Sequence, residues 1–264
     1  MIVIFNTMDN DHLYNKQLQA LERSVKIRPK RINGTRRSVV ACIVRKPKVK
    51  HEKAPLDMFF ILRASDPNGS RWSGQVGFPG GHVEDGETDT DAVCRECEEE
   101  VNFHLKKSSR FIGETRPRVV QRNVNESLVV CCHLYEMLEN EIPSGQVSEV
   151  GACGWTPMTV LTDDKYAGPL NWSKFRNNTN EDNNNTSMSS MWDNFPSVQL
   201  IFQNKDDLLV VDQKHLTMEQ AKERFKLWGL TLRIVNDIML DSKLRDTPID
   251  VHAAPSTYKE NSQL

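Results

Sequence analysis

The chain has 264 residues, a formal net charge of −2 at pH 7 and 38% hydrophobic residues, which suits one hydrophobic core with appendages. The near-neutral charge argues against a protein that coats nucleic acid, because such binding relies on a basic surface. Residues 1–5 are too short for a secretory signal and no segment has the length of a membrane span, so we expect an intracellular protein without a membrane partner.

The N-terminal part, residues 1–35, is predicted to be an arm that contains one helix over 13–25. A basic stretch at 26–37 follows, which we interpret as a solvated surface. The hydrophobic runs at 38–45 and 58–63 predict two strands, and these open a domain that we expect to cover 36–241.

Glycine is concentrated directly after the second strand. Six of the thirteen glycines lie between residues 69 and 86, so a backbone with unusual angles is expected there. Gly80 and Gly81 let amides and carbonyls point towards a phosphate or a metal ion. Arg71 and Gln75 are the nearest polar residues and are candidate contacts for a substrate phosphate. A plain surface role for Arg71 is an equally open interpretation.

Residues 88–101 contain no proline or glycine and predict a helix. Glu96, Glu99 and Glu100 then share one face, because they are spaced i, i+3 and i+4. A short acidic run is ordinarily a solvated helix face. Three carboxylates on one face also repel one another, and a divalent cation relieves that repulsion. Oxygen ligands without histidine favour Mg²⁺ or Mn²⁺ over zinc.

Two details of this helix concern its packing and its end. Cys94 and Cys97 form a single C-x-x-C pair without a second pair, which we interpret as core packing and not as a zinc site. Asn102 follows the helix at a position that suits a left-handed residue.

Further along the chain, residues 128–134 predict a buried strand and 218–240 predict one closing helix. Residues 177–190 are polar and rich in asparagine, and we expect a disordered insertion there. The polar segment 242–264 is predicted to be a flexible tail. Its last three residues, Ser-Gln-Leu, are one residue away from a peroxisomal address, although the cytoplasm is our first expectation. Strands alternating with helices indicate an α/β fold.

The spacing from Gly81 through Glu87 to the Arg95-Glu96 pair and on to Glu99-Glu100 resembles the Nudix box, G-x5-E-x7-R-E-U-x-E-E-x-G-U, in which U is a bulky aliphatic residue. The family resemblance implies an α/β/α sandwich with a mixed sheet. It also implies a metal-dependent hydrolase of a nucleoside diphosphate linked to another group. The leader at 70–81 and the segment 227–235 resemble the coenzyme A diphosphatase branch, whose products are 3′,5′-ADP and 4′-phosphopantetheine.

The resemblance also implies roles for individual residues. Glu96 and Glu100 would be the main ligands of Mg²⁺ or Mn²⁺, with Glu99 and the Gly80 carbonyl as further ligands. The remaining box residues, Arg95 and Glu87, would pair and hold the catalytic box rigid.

Several alternatives stay open. The catalytic base is either Glu99 or Glu149, the latter in a downstream E-V element that many Nudix proteins share. The nucleotide substrate could also be ADP-ribose, a dinucleoside polyphosphate or capped RNA, the last being the one nucleic-acid partner considered. A non-catalytic Nudix module that binds nucleotides is the alternative from another class, and the oligomeric state is not determined by the sequence.

Overall fold

A computed structural model describes residues 7–25, 36–48, 55–65, 72–123, 126–139, 141–170 and 195–249. Within these ranges the helices are α1 (Thr7–Ser24), α2 (Asp89–Val101), α3 (Leu105–Ser108), α4 (Thr159–Thr162), α5 (Met218–Arg224) and α6 (Gly229–Asp241). The strands are β1 (Arg36–Arg45), β2 (Asp57–Arg63), β3 (Val76–Gly77), β4 (Gly80–His82), β5 (Ser109–Glu114), β6 (Arg118–Asn123), β7 (Glu126–Met137), β8 (Val150–Pro157), β9 (Ala167–Leu170), β10 (Phe195–Gln199), β11 (Leu208–Val210) and β12 (Lys226–Trp228).

The main sheet has the strand order β11-β8-β2-β1-β7-β5, with β3 paired to β2, β4 to β1 and β6 to β7. Strands β1 and β7 run parallel, in a register that sets Val39 opposite Cys131. The other pairs in this sheet are antiparallel. The sheet is therefore mixed, as the family resemblance implied.

Alternation along the central strands places a hydrophobic cluster on each face of the sheet. Val39 and Ile43 pack on the face covered by α2, whereas Cys42 and Val44 join the cluster that includes residues of α1 and α6. Helices thus cover both faces, which confirms the predicted α/β/α sandwich. None of the helices in the described ranges combines the length and the apolar composition needed to cross a bilayer.

The prediction of one closing helix over 218–240 is wrong. Two helices occupy this region, and β12 separates them. Leu227 pairs with Val198 and Trp228 pairs with Ser197, so both residues are buried by a small second sheet of β12, β10 and β9. Helical periodicity continues through this segment, but pairing with a distant strand decides its conformation. Gly229, with φ +63°, allows the turn into α6.

Helix α1 and strand β7 are both longer than predicted. Helix α1 begins at residue 7 and not 13, because exposed residues such as Asp11 and His12 carry no apolar signal. Strand β7 extends to Met137, where it pairs with β5.

The segment 242–249, expected to be part of a flexible tail, returns to the core. Ile249 is buried, and its amide and carbonyl bond the Asn236 side chain at 3.0 and 2.9 Å. Several sequence interpretations lie outside the described residues: Arg71, most of the basic stretch, the insertion at 177–190 and the final Ser-Gln-Leu.

Candidate metal and active site

Helix α2 carries the predicted carboxylates, and both of its ends are capped by local chemistry. The Thr88 hydroxyl accepts a hydrogen bond from the Asp91 amide at 3.1 Å, which satisfies a free amide of the first turn. Asn102 adopts the left-handed conformation expected for it, with φ 58°, and its amide bonds carbonyls of the last turn. Val93, Cys97 and Val101 pack into the core, so the carboxylate face is turned towards β4. The thiols of Cys94 and Cys97 are both buried.

Glu100 lies deepest in the site, with 1% of its surface exposed. One carboxylate oxygen accepts a 2.8 Å hydrogen bond from the Gly80 amide. The other forms an ion pair with the Arg63 Nη1 atom at 3.1 Å. Burial is the main cause that raises the pKa of Glu100 to about 7, and the charges of Glu96 and Glu149 act in the same direction. Arg63 and Gly80 act in the opposite direction. The high pKa of this carboxyl is therefore mainly a consequence of its burial.

Glu96 lies against the glycine turn, by which we mean Gly80 and Gly81. A methyl group added at Gly81 would lie 2.3 Å from the Glu96 Oε1 atom, so the missing side chain of Gly81 makes the space for this carboxylate. Burial raises the pKa of Glu96, and the neighbouring charges of Glu99 and Glu149 add to the shift. The glycine of the box is thus required by the close approach of a carboxylate.

Arg95 joins most of the predicted box. Its Nε and Nη2 atoms each bond a carboxylate oxygen of Glu87 at 3.0 Å, and Nη2 also bonds the His82 carbonyl at 3.1 Å. Its Nη1 atom bonds Glu96 at 3.0 Å and Glu99 at 3.1 Å. Hydrogen bonding between Arg95 and Glu87 raises the pKa of the guanidinium and lowers that of the carboxyl. The pairing expected from the sequence is present.

Glu149 reaches the same site from the loop before β8. Its side chain is exposed, and its carbonyl accepts a hydrogen bond from the Ala64 amide at 2.8 Å. The same loop is tied to the end of α2, because the Gln146 amide bonds the Glu100 carbonyl at 3.2 Å. Glu149 thereby lies at the rim, where its charge acts on both Glu96 and Glu100.

Sequence reasoning missed Arg63 as a site residue. Arg63 ends β2, and its amide bonds the Gln75 carbonyl at 3.0 Å while its side chain pairs with Glu100. The available signal was a single charge closing an otherwise apolar strand. Gln75 itself is partly buried beside this strand end.

The donor set suits a divalent metal ion that prefers oxygen. In the parts of the chain that the structure describes, no three His, Cys, Asp or Glu side chains already meet as a metal centre. Glu96 and Glu99 both contact Arg95, whereas Glu100 contacts Arg63. Carboxylate oxygens are the ligands that Mg²⁺ and Mn²⁺ prefer, and burial together with mutual repulsion raises the pKa of both Glu96 and Glu100. A dication would offset both effects.

A mixed sheet between helices, with a carboxylate helix packed on a glycine turn, defines the class as an α/β protein with an acidic site for metal-dependent chemistry. A family model described as the NUDIX domain matches residues 35–174, more than half of the chain. The chain therefore belongs to the Nudix family. This confirms the predicted family and, at that level, the prediction of a Nudix pyrophosphatase.

Several solved structures are similar to this chain. An Ap4A hydrolase from C. elegans has 19% identity and a TM-score of 0.38 over 47% of this chain and 82% of that chain. A MutT NUDIX hydrolase from Burkholderia pseudomallei has 23% identity and a TM-score of 0.31 over 50% and 86%. The NUDIX domain of Shewanella oneidensis NrtR, in complex with ADP ribose, has 18% identity and a TM-score of 0.36 over 51% and 80%. A search of the curated proteins found no match. At these values the similarities carry no argument about substrate.

Proposed function

We propose that this protein hydrolyses the pyrophosphate of a nucleoside diphosphate linked to another group. Two contacts of the carboxylates carry the proposal. Glu100 accepts a hydrogen bond from the Gly80 amide, and Glu96 occupies the space that a side chain at Gly81 would fill. A helix that served only as scaffold would gain nothing from carboxylates held against a glycine turn. Coenzyme A or a derivative is the substrate we place first, because the segments 70–81 and 227–235 resemble that branch of the family.

In this proposal Glu96 and Glu100 would hold Mg²⁺ or Mn²⁺, with Glu99 and the Gly80 carbonyl as further ligands. When bound, such an ion neutralises charge on phosphoryl oxygens and lowers the pKa of a coordinated water. The donor set supports this assignment, since it consists of oxygen atoms from carboxylates and backbone.

The other residues of the site would position groups or move a proton. Glu99 or Glu149 would accept the proton of the attacking water, and both are exposed enough to reach it. Arg95 and Glu87 would act as positioning residues, because their paired contacts hold Glu96 and the backbone at His82. Gln75 and Arg71, at the leader, would contact substrate phosphate.

Product analysis tests the proposal. The protein is incubated with Mg²⁺ or Mn²⁺ and, separately, with coenzyme A, ADP-ribose, a dinucleoside polyphosphate and capped RNA. Glu96→Gln is the inactive control, and Glu98→Gln is the matched control, because Glu98 is an exposed carboxylate on the same helix.

The outcomes separate the alternatives. Release of 3′,5′-ADP from coenzyme A by the wild type and by Glu98→Gln, but not by Glu96→Gln, would support the proposal in full. Cleavage of another nucleotide in its place would keep the chemistry and reject the coenzyme A branch. Calorimetric binding of nucleotide without any product would identify a nucleotide-binding module and reject hydrolysis.

A further inference from the structure

Arg224, in the last turn of α5, reaches across to the glycine-rich leader. Its Nη2 atom donates a 2.9 Å hydrogen bond to the Ser65 hydroxyl. The same atom lies 2.7 Å from the position that a methyl group would take at Gly74, a glycine with φ +66°. The guanidinium therefore lies against backbone that only a glycine leaves open.

The guanidinium is short of partners. Burial lowers the pKa of Arg224, and no acidic group in the described part of the chain counteracts this shift. Among the described residues, no carboxylate forms an ion pair with it. A guanidinium has five N–H donors, and partly burying it beside one neutral hydroxyl costs free energy. An anion at this position would recover that cost.

The end of a helix does not by itself account for this arginine. Cations near a helix C-terminus are favoured by the free carbonyls there. At the end of α5 the carbonyls of Lys222 and Phe225 instead accept hydrogen bonds from the Gln199 side chain at 2.9 and 3.2 Å. The exposed Lys222 side chain already places a solvated cation on the same turn. The Arg224 side chain turns away from these carbonyls towards Ser65.

The position of Arg224 relates directly to the carboxylate site. Ser65 lies two residues after Arg63, which pairs with Glu100, and two residues span at most about 7 Å of chain. Between them, the Ala64 amide bonds the Glu149 carbonyl, and the Ala64 carbonyl accepts from the Gly74 amide at 3.3 Å. Arg224 therefore lies beside the chain segment that links Arg63 to Ser65, on the leader side of the carboxylate site.

We propose that Arg224, with the Ser65 hydroxyl, binds a phosphate group of the nucleotide substrate that is separate from the pyrophosphate being cleaved. This inference rests on the proposed function, because it assigns the substrate class of the same site. A planar guanidinium binds two oxygens of a phosphate at once, which also gives directional selectivity. The substrate class is a nucleotide that carries an additional phosphate monoester, as coenzyme A does on its ribose and 3′-dephospho-coenzyme A does not.

The kinetic test compares coenzyme A with 3′-dephospho-coenzyme A on four full-length proteins: wild type, Arg224→Gln, Arg224→Lys and Lys222→Gln. We expect Arg224→Gln to lower kcat/KM for coenzyme A about tenfold or more through KM, and the loss to be confined to that substrate. Arg224→Lys should recover part of the loss, and Lys222→Gln should match the wild type. Equal losses on both substrates, or no loss on either, would overturn the inference while leaving the proposed hydrolysis intact.

A binding experiment tests the same inference without catalysis. Calorimetry in EDTA compares the affinity for 3′,5′-ADP with the affinity for AMP, which lacks the second phosphate. The wild type should bind 3′,5′-ADP more tightly, and Arg224→Gln should bind both alike, with melting temperatures confirming that each variant is folded. Equal binding of the two ligands by the wild type would overturn the inference. Absence of any hydrolysis in the kinetic arm would overturn the proposed function alone.

Discussion

The amide of Gly80 donates a 2.8 Å hydrogen bond to the Oε2 atom of Glu100, twenty residues further along the chain. Gly80 has φ +142°, and its Cα lies so close to β1 that an added methyl group would sit 2.2 Å from the Val39 carbonyl. The bond therefore joins a backbone turn that only glycine adopts to a carboxylate buried at the base of α2. This hydrogen bond fixes the position of α2 relative to the glycine turn, and that position sets the geometry of the site.

Replacing Glu100 by glutamine should separate activity from stability. Glutamine keeps the shape and can still accept from the Gly80 amide, but it removes the charge. We expect kcat/KM to fall by the equivalent of about 3 kcal/mol or more, since a metal ligand is lost. The metal-free variant should unfold at or above the wild-type temperature, because a buried charge has gone. Near-normal turnover in a folded variant would show that Glu100 is not a ligand.

The stability of the metal-free protein should depend on the ionisation of Glu100. Its pKa is about 7 when folded, against an ordinary value of 4.5. Between these values the folded state binds the proton more tightly than the unfolded state, so this group's contribution to stability is lost as the pH rises from about 4.5 to 7. Urea unfolding across this range in EDTA should show the decline, and Glu100→Gln should lack that part of it.

Addition of the metal should reverse this loss at neutral pH. An ion that binds the folded state alone raises the unfolding temperature in proportion to the logarithm of its concentration once sites are filled. We therefore expect Mg²⁺ or Mn²⁺ to stabilise the wild type at pH 8 and to have little effect on Glu96→Gln. Equal stabilisation of the two proteins would contradict the assignment of Glu96.

The two glycines of the turn should respond differently to alanine. Gly80→Ala brings a methyl group into backbone atoms of β1 and should cost about 3 kcal/mol in the free energy of unfolding. For Gly81→Ala the three atoms nearest to the new methyl group all belong to the Glu96 carboxylate, which can rotate away, so stability should change by less than about 1 kcal/mol while activity falls. Gly168→Ala is the control, because a methyl group there meets nothing within 4 Å. A larger loss in the free energy of unfolding for Gly81→Ala than for Gly80→Ala would refute this prediction.

Replacing Arg95 by lysine should damage the site although the charge is kept. A single ammonium cannot reproduce paired bonds to both oxygens of Glu87 together with those to Glu96, Glu99 and the His82 carbonyl. We expect a loss of about 1–2 kcal/mol in stability and at least a tenfold loss in kcat. Unchanged kinetics would mean that charge alone matters at this position.

A buried ion cluster away from the carboxylate site should matter for folding only. Arg45 contacts Asp57 at 3.2 Å and Asp207 at 2.7 Å, and all three are nearly inaccessible. Arg45→Met would remove the positive charge that two buried carboxylates share and should cost about 3–5 kcal/mol. Lys46→Met, at a solvated pair with Asp11, should change stability by less than about 1 kcal/mol. Denaturant unfolding of the two variants checks the contrast.

The local features of the candidate site could be predicted from the sequence. Helix α2, the cap at Thr88, the left-handed Asn102 and the shared face of Glu96, Glu99 and Glu100 all lie within fifteen residues. Helical periodicity and capping chemistry act over such distances, so the sequence alone specifies them. The Arg95–Glu87 pair was expected from the family resemblance, and eight residues separate its members.

Other features were decided by the tertiary structure. Arg63 meets Glu100 across 37 residues, and Arg224 meets Ser65 across 159. The conformation of 226–228 was likewise set by β10 and not by its own helical pattern. Such contacts depend on which strands pair and on how the chain returns to the sheet, and neither is encoded in a short window of residues. The sequence by itself determined the chemistry of the carboxylate helix, whereas only the packed fold brought Arg63 to it, because that contact depends on where β2 lies in the sheet.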